Sequence, residues 1–115
     1  MVNIGIIGYG YWGPNLVRNF FAAKDCCVKT VADARADRLE QLEKVFPTIH
    51  GVRNAEDVIK DPRIDAIVIA TPVYTHFTLA RKALAEGKHV LLEKPMTSSV
   101  EEAEILINLA EQKCV

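Results

Sequence analysis

The sequence predicts a doubly wound α/β fold, with a five-stranded parallel sheet and helices on both faces. Three observations carry this reading. Strand-sized apolar runs alternate with amphipathic helical runs along the whole of the 115 residues. The fourth apolar run, Asp65 to Ala70, is nearly continuous, as expected of a strand covered on both faces. A glycine-rich turn, Gly8-Tyr9-Gly10-Tyr11-Trp12-Gly13, joins the first strand to the first helix. Right-handed crossovers then give the strand order 3-2-1-4-5.

Each element has its own signal. Asn3 to Ile7 reads as the first strand. Tyr11 to Ala23 reads as a helix with Leu16, Val17, Phe20 and Phe21 on its apolar face, and Pro14 falls in the first turn, where its missing N–H does no harm. Cys27 to Ala32 is the second strand. Arg35 to Val45 is a charged helix with Leu39, Leu42 and Val45 as its buried stripe, ended before Pro47. Thr48 to Gly51 is a short third strand, with His50 at its end, and Ala55 to Lys60 is a short helix punctuated by Asp61-Pro62. After the fourth strand, Tyr74 to Glu86 is a helix closed by Gly87. His89 to Leu92 is the fifth strand, begun by His89. Ser99 to Glu111 is the last helix, with Ser98 or Ser99 as its cap and two glutamates in its first turn.

Composition narrows the function classes. Half of the residues are hydrophobic and a quarter are charged, as in an ordinary globular domain. The formal net charge is −1 and no basic cluster is present, which argues against nucleic acid and anionic membrane partners. No apolar run reaches membrane-spanning length, and the first strand begins too early to leave room for a signal peptide, so a cytoplasmic protein is expected. Cys26, Cys27 and Cys114 are odd in number, two of them adjacent, and lack the spacing of a disulfide framework or a metal site.

The chemistry gathers at the predicted carboxyl ends of the strands, where ligands bind in open α/β sheets. Gly8 would allow a tight turn, Gly10 would let a pyrophosphate approach the backbone, and Gly13 would let the next helix pack closely. That helix N-terminus offers unpaired N–H groups to phosphates. Glycines at these spacings also occur in ordinary turns. Here the run follows a strand, opens a helix and is completed by Asp33, 20 residues after Gly13, which would accept hydrogen bonds from ribose hydroxyls. The Rossmann dinucleotide-binding fingerprint is thereby complete. The contact loop comprises Gly8, Tyr9, Gly10, Tyr11, Trp12 and Gly13; Tyr11 and Trp12 would pack over the cofactor or close a gap to a second domain, or serve packing alone. Asp33 favours NAD over NADP. Arg35 and Arg38 leave NADP possible, since either could reach a 2′-phosphate and Arg38 could stack beside adenine; both also fit a solvated helix start.

Ala70 ends the fourth strand and Thr71 and Pro72 follow it, where the backbone could pass under the cofactor, although a plain strand-to-helix loop would read the same way. His76 could contact the nicotinamide end or the substrate, or simply be a polar residue at a helix start. Glu93, Lys94 and Pro95 follow the fifth strand. A lysine there could hydrogen-bond a hydroxyl undergoing oxidation and help its proton leave; an exposed loop lysine is the competing reading. Lys94 is the candidate catalytic residue.

The runs Ala70-Thr71-Pro72-Val73-Tyr74-Thr75-His76 and Gly87-Lys88-His89-Val90-Leu91-Leu92-Glu93-Lys94-Pro95, together with the glycine loop, resemble the glucose–fructose oxidoreductase/inositol dehydrogenase (Gfo/Idh/MocA) family over nearly the whole chain. The resemblance implies an NAD- or NADP-dependent oxidoreductase acting on sugars, cyclitols or nucleotide sugars. It implies that Lys94 touches both the substrate and the nicotinamide ribose, and that the Lys94–Pro95 bond is cis. The Gly10-to-Leu16 wording is similar to members associated with nucleotide-sugar metabolism in surface polysaccharide synthesis. Members of the family continue into a second α/β domain that supplies most substrate contacts, a downstream catalytic histidine and the oligomer interface. The expectation is therefore that residues 1–115 are the cofactor domain of a longer homo-oligomeric enzyme, with little turnover alone. A non-catalytic nucleotide-binding or redox-sensing module is the alternative.

Overall fold

Residues 1–115 are all described by the computed structural model. Five strands, β1 (Val2–Ile7), β2 (Cys26–Ala32), β3 (His50–Val52), β4 (Ala66–Ile69) and β5 (His89–Leu92), form one sheet in the order β3-β2-β1-β4-β5. Every pairing is parallel. The helices are α1 (Gly13–Ala22), α2 (Ala36–Val45), α3 (Ala55–Ile59), α4 (His76–Ala85) and α5 (Val100–Lys113). The predicted fold class and strand order are those observed. No helix is long and apolar enough to cross a membrane.

Alternation along the strands splits the core into two layers. Ile4 and Ile6 of β1 and Val68 of β4 join Val17 of α1 and Leu39 and Leu42 of α2. Ile7, Ile67 and Ile69 point the other way and meet Val58 and Ile59 of α3, Ala80 and Leu84 of α4, and Leu106 of α5. A bulge lies where β1 steps from Ile4 to Gly5 while β2 steps from Val28 to Thr30. Lys29 is the extra residue, and its side chain is exposed.

Helix ends follow local chemistry. The Asn54 side chain accepts from the Glu56 N–H at 2.9 Å and caps α3. Ser99 Oγ accepts from the Glu102 N–H at 3.2 Å, while Glu102 Oε1 accepts from the Ser98 N–H at 3.3 Å. Gly87, with φ +77°, closes α4. By contrast, α1 has no side-chain cap.

Some expectations need correction. The first helix starts at Gly13, not Tyr11, because the glycine loop runs to that point. Phe21 overhangs the sheet and is half exposed, resting on Phe46 with ring centroids 4.9 Å apart. Val45 is exposed at the end of α2, where the turn brings Phe46 inward instead. His50 begins the third strand, which runs to Val52. The fourth helix begins at His76, after a 3-10 turn over Val73–Thr75 in which Thr75 Oγ1 donates to the Pro72 carbonyl at 2.6 Å.

Candidate functional site

The sheet ends flush along one edge. Val52, Ala32, Ile7, Ile69 and Leu92 are register partners from β3 across to β5. The next residue of each strand therefore starts the same edge: Arg53, Asp33, Gly8, Ala70 and Glu93. The ladder continues into these residues. Gly8 N–H donates to Ala32 O (2.8 Å), Asp33 to Val52 O (3.0 Å), Ala70 to Ile7 O (2.8 Å) and Glu93 to Ile69 O (3.0 Å).

Gly8 turns the chain with φ +105°, and a Cβ there would lie 2.9 Å from the Ala70 carbonyl. A Cβ on Gly13 would collide with the Gly8 carbonyl oxygen, so α1 can sit this close to the loop only with glycine. The Tyr9 ring is buried in the core beneath the loop, and burial raises its phenol above its ordinary pKa. Tyr9 thus offers the cleft backbone rather than side chain. The N–H groups of Gly10, Tyr11, Trp12 and Gly13 have no partner within the chain. Tyr11 and Trp12 are exposed above them, edge to face with centroids 5.1 Å apart.

Asp33 is the hub of the adjacent wall. Its Oδ2 accepts from the Tyr9 N–H at 2.8 Å, and its Oδ1 accepts from the Arg35 N–H at 2.8 Å. Arg35 Nε stands 3.5 Å from Oδ1; the Asp33 side chain is 8% exposed and that of Arg35 54%. Arg53 Nε donates to the Ala34 carbonyl at 2.6 Å and holds the turn after Asp33 from the next loop. Sequence reasoning missed Arg53. Arg38 turns along its own helix, with Nη1 3.4 Å from Gln41 Oε1, and takes no part in the cleft wall.

Gly8, Gly10, Asp33, Arg35, Arg53 and Thr71 are among the residues that line a cleft of about 520 Å³. That is the size range of small-molecule sites. Ala70 and Pro72 also line it. His76 does not: its ring is 1% exposed, and both nitrogens face backbone carbonyls. Of the two readings offered for His76, contact with a ligand or a polar residue at a helix start, the structure puts it at the start of α4 with its ring enclosed by the Thr71, Pro95 and Met96 carbonyls. Glu93, Lys94 and Pro95 lie at the β5 end, beside the cleft wall rather than in it. The Lys94–Pro95 peptide is cis, as the resemblance implied. Lys94 N–H donates to Glu93 Oε1 at 3.1 Å, and its exposed ammonium has no partner within the chain.

Free N–H groups over a glycine cradle, beside a carboxylate on the neighbouring strand, fit the pyrophosphate and ribose of a dinucleotide. The comparisons agree. Residues 2–115 match the Gfo/Idh/MocA family model, described as an oxidoreductase family with an NAD-binding Rossmann fold. The chain is 31% identical over 114 residues to the scyllo-inositol 2-dehydrogenase (NADP(+)) of Bacillus subtilis, covering 99% of this chain and 31% of that protein. It is 36% identical over 103 residues to the scyllo-inositol 2-dehydrogenase (NAD(+)) of the same organism, covering 90% of this chain and 29% of that protein. The crystal structure of an NAD-binding protein from Listeria innocua superimposes with a TM-score of 0.91 at 33% identity, over 98% of this chain and 33% of that one. The chain spans about a third of the length of the curated relatives it matches. With the flush strand ends and the glycine cradle, these matches show that the chain belongs to the Gfo/Idh/MocA oxidoreductase family and is its NAD-binding Rossmann domain.

Proposed function

We propose that residues 1–115 are the cofactor domain of a longer two-domain oxidoreductase that moves a hydride between nicotinamide and a hydroxyl of a sugar, cyclitol or nucleotide sugar. One observation carries the reading: the flush sheet edge brings Gly8, Gly10 and Asp33 into one cleft, with the free N–H groups of Gly10 to Gly13 in the loop that borders it. The N–H groups and the α1 N-terminus hold the pyrophosphate. Asp33 takes the ribose hydroxyls and disfavours a 2′-phosphate, so NAD is the preferred cofactor. Thr71 and Pro72 also line the cleft. When bound, the nicotinamide supplies the hydride acceptor or donor.

Lys94 is the group for the hydroxyl proton. Its unpartnered side-chain nitrogen stands at the β5 end, where the ammonium can donate a hydrogen bond or a proton to a substrate oxygen during reduction, and the neutral amine can take the hydroxyl proton during oxidation. A cofactor sensor has no use for a lysine in that position, which favours the enzyme over a non-catalytic module. The same reading puts the enzyme in the cytoplasm, and its three unpaired cysteines fit a reducing compartment. The exposed Leu91 edge and the exposed Ile105 and Ile107 of α5 support a homo-oligomeric whole protein.

The test is a titration with NADH and then NADPH, following Trp12 fluorescence with calorimetry alongside. Saturable quenching that is tighter for NADH is the expected result. Tighter NADPH binding would hand the ribose wall to Arg35 and Arg53. No heat and no quenching with either would remove the proposal.

A further inference from the structure

His76 opens α4, yet its ring is more deeply buried than any other polar side chain here, at 1% exposure. Nδ1 lies 2.9 Å from the Pro95 carbonyl oxygen and 3.2 Å from that of Met96. Nε2 lies 2.8 Å from the Thr71 carbonyl oxygen. The ring therefore stands between the loops that leave two neighbouring strands, β4 and β5. A neutral ring donates on one side only, and a doubly protonated ring donates on both.

The two loops depend on this ring unequally. The β4 turn is braced without it: Thr71 Oγ1 donates to Thr75 Oγ1 at 2.6 Å, and Thr75 Oγ1 donates to the Pro72 carbonyl at 2.6 Å. On the β5 side, the last backbone tie to the sheet is Glu93 N–H to Ile69 O at 3.0 Å. From Lys94 to Thr97, no other hydrogen bond joins the loop to the β4 side. His76 is the one polar tether between the Lys94 loop and the wall of the cleft.

We infer that His76 is a positioning residue: it holds the Glu93-Lys94-Pro95 loop against the Thr71-Pro72 turn and so sets the nicotinamide side of the cofactor site. This deepens the proposed function and rests on the dinucleotide reading. The ring touches no ligand; it acts through Pro95 and Met96 on Lys94. The adenosine side, built on Asp33 and the glycine loop, does not depend on it.

The experiment compares NADH with ADP-ribose, which lacks the nicotinamide, by calorimetry on the chain. The unsubstituted chain binds NADH more tightly than ADP-ribose. His76→Ala abolishes most of that margin, weakening NADH by about fivefold, the worth of one net hydrogen bond. ADP-ribose affinity stays within about twofold, since none of its contacts is removed. His76→Asn places an amide N–H where Nδ1 sits and restores the margin; His76→Gln reaches toward Thr71 instead and does not. The double variant His76→Ala, Lys94→Ala binds NADH no worse than Lys94→Ala alone, because both changes act on one contact.

A margin that survives His76→Ala overturns the inference. So does an equal loss of both ligands, which would make the ring a general support of the fold. Equal rescue by Asn and Gln overturns it as well, as does equal binding of NADH and ADP-ribose by the unsubstituted chain. If His76→Ala does not melt cooperatively, the Asn and Gln pair decides alone. Failure of the unsubstituted chain to bind either ligand removes the proposed function and this inference with it, whereas an unchanged margin removes the inference only.

Discussion

On the β1–β2 side of the cleft edge, a carboxylate ties the glycine loop to the second strand. On the β4–β5 side, a buried imidazole ties one loop to the next. The first side lies in the middle of the sheet, with β3 beyond it and helices on both faces. Asp33 belongs to the backbone it braces, and its partners are main-chain N–H groups at 2.8 Å. The second side ends at an edge strand whose Leu91 is 51% exposed, and its tether reaches across 19 residues from His76 to Pro95. The end proposed for adenosine is thus built into the sheet, whereas the end proposed for nicotinamide is hung from it. A site that must hold one end of a ligand firmly and admit a substrate at the other is served by that asymmetry.

Four changes break or sharpen this contrast. The largest effect belongs to Gly13→Val on the built-in side. Its Cβ strikes the Gly8 carbonyl, so α1 must move off the loop that it seats. NADH binding falls by about 100-fold or more, the scale of several lost charge-assisted hydrogen bonds, and calorimetry reads it. Next, Asp33→Asn removes the charge proposed to face the ribose and releases Arg35. It weakens NADH by about tenfold, the range of a hydrogen bond to a charged group, and brings NADPH level or ahead. An unchanged NADH-to-NADPH ratio would show that Asp33 serves the loop alone.

On the edge side, the exposed Leu91 predicts self-association through β5 at high concentration, with Leu91→Lys shifting the chain toward monomer in light scattering. A monomer at every concentration in the unsubstituted chain counts against the exposed edge as a contact. The smallest effect is a pH control away from the cleft. The Arg63 side chain and then its backbone N–H hydrogen-bond Asp61 and lower its pKa from 3.8 to about 2. A depressed folded pKa means a contribution present above about pH 4 and lost as pH falls through about 2. Solvent screening keeps it small. Melting curves between those limits should flatten slightly in Asp61→Asn, with NADH binding at neutral pH unchanged.

Much of the edge was legible because each motif follows a strand end. Gly8, Asp33 and Glu93 are found by reading one residue past an apolar run, and Ala70, expected as the last residue of its strand, is the first residue beyond it. Arg53 occupies the equivalent step on β3 and escaped notice because that strand is three residues long and was expected to end at Gly51 rather than Val52. No period marks so short a strand. The position of Arg53 beside Ala34 became visible only with the register in hand. The burial of His76 was illegible for another reason. Its partners are main-chain carbonyls of a distant loop, and no residue type there announces them. Phe21 and Val45 show the converse error: a helical stripe read from sequence continues past the point where the sheet beneath it stops.

The flush edge makes tolerance to insertion lopsided. The strands begin in different rows: β1 pairs with β2 from Val2, but β4 and β5 join only at the row of Ile4. All differences in strand length are absorbed at that ragged far end. A residue added before Ala66 or His89 lengthens a strand away from the cleft and leaves every loop on the binding side in step. The same residue added between Val31 and Asp33 would send the carboxylate to the opposite face of the sheet. Length variation among homologous chains should therefore accumulate on one side of this sheet, and grafting new loops onto the other will succeed only when each replacement keeps count.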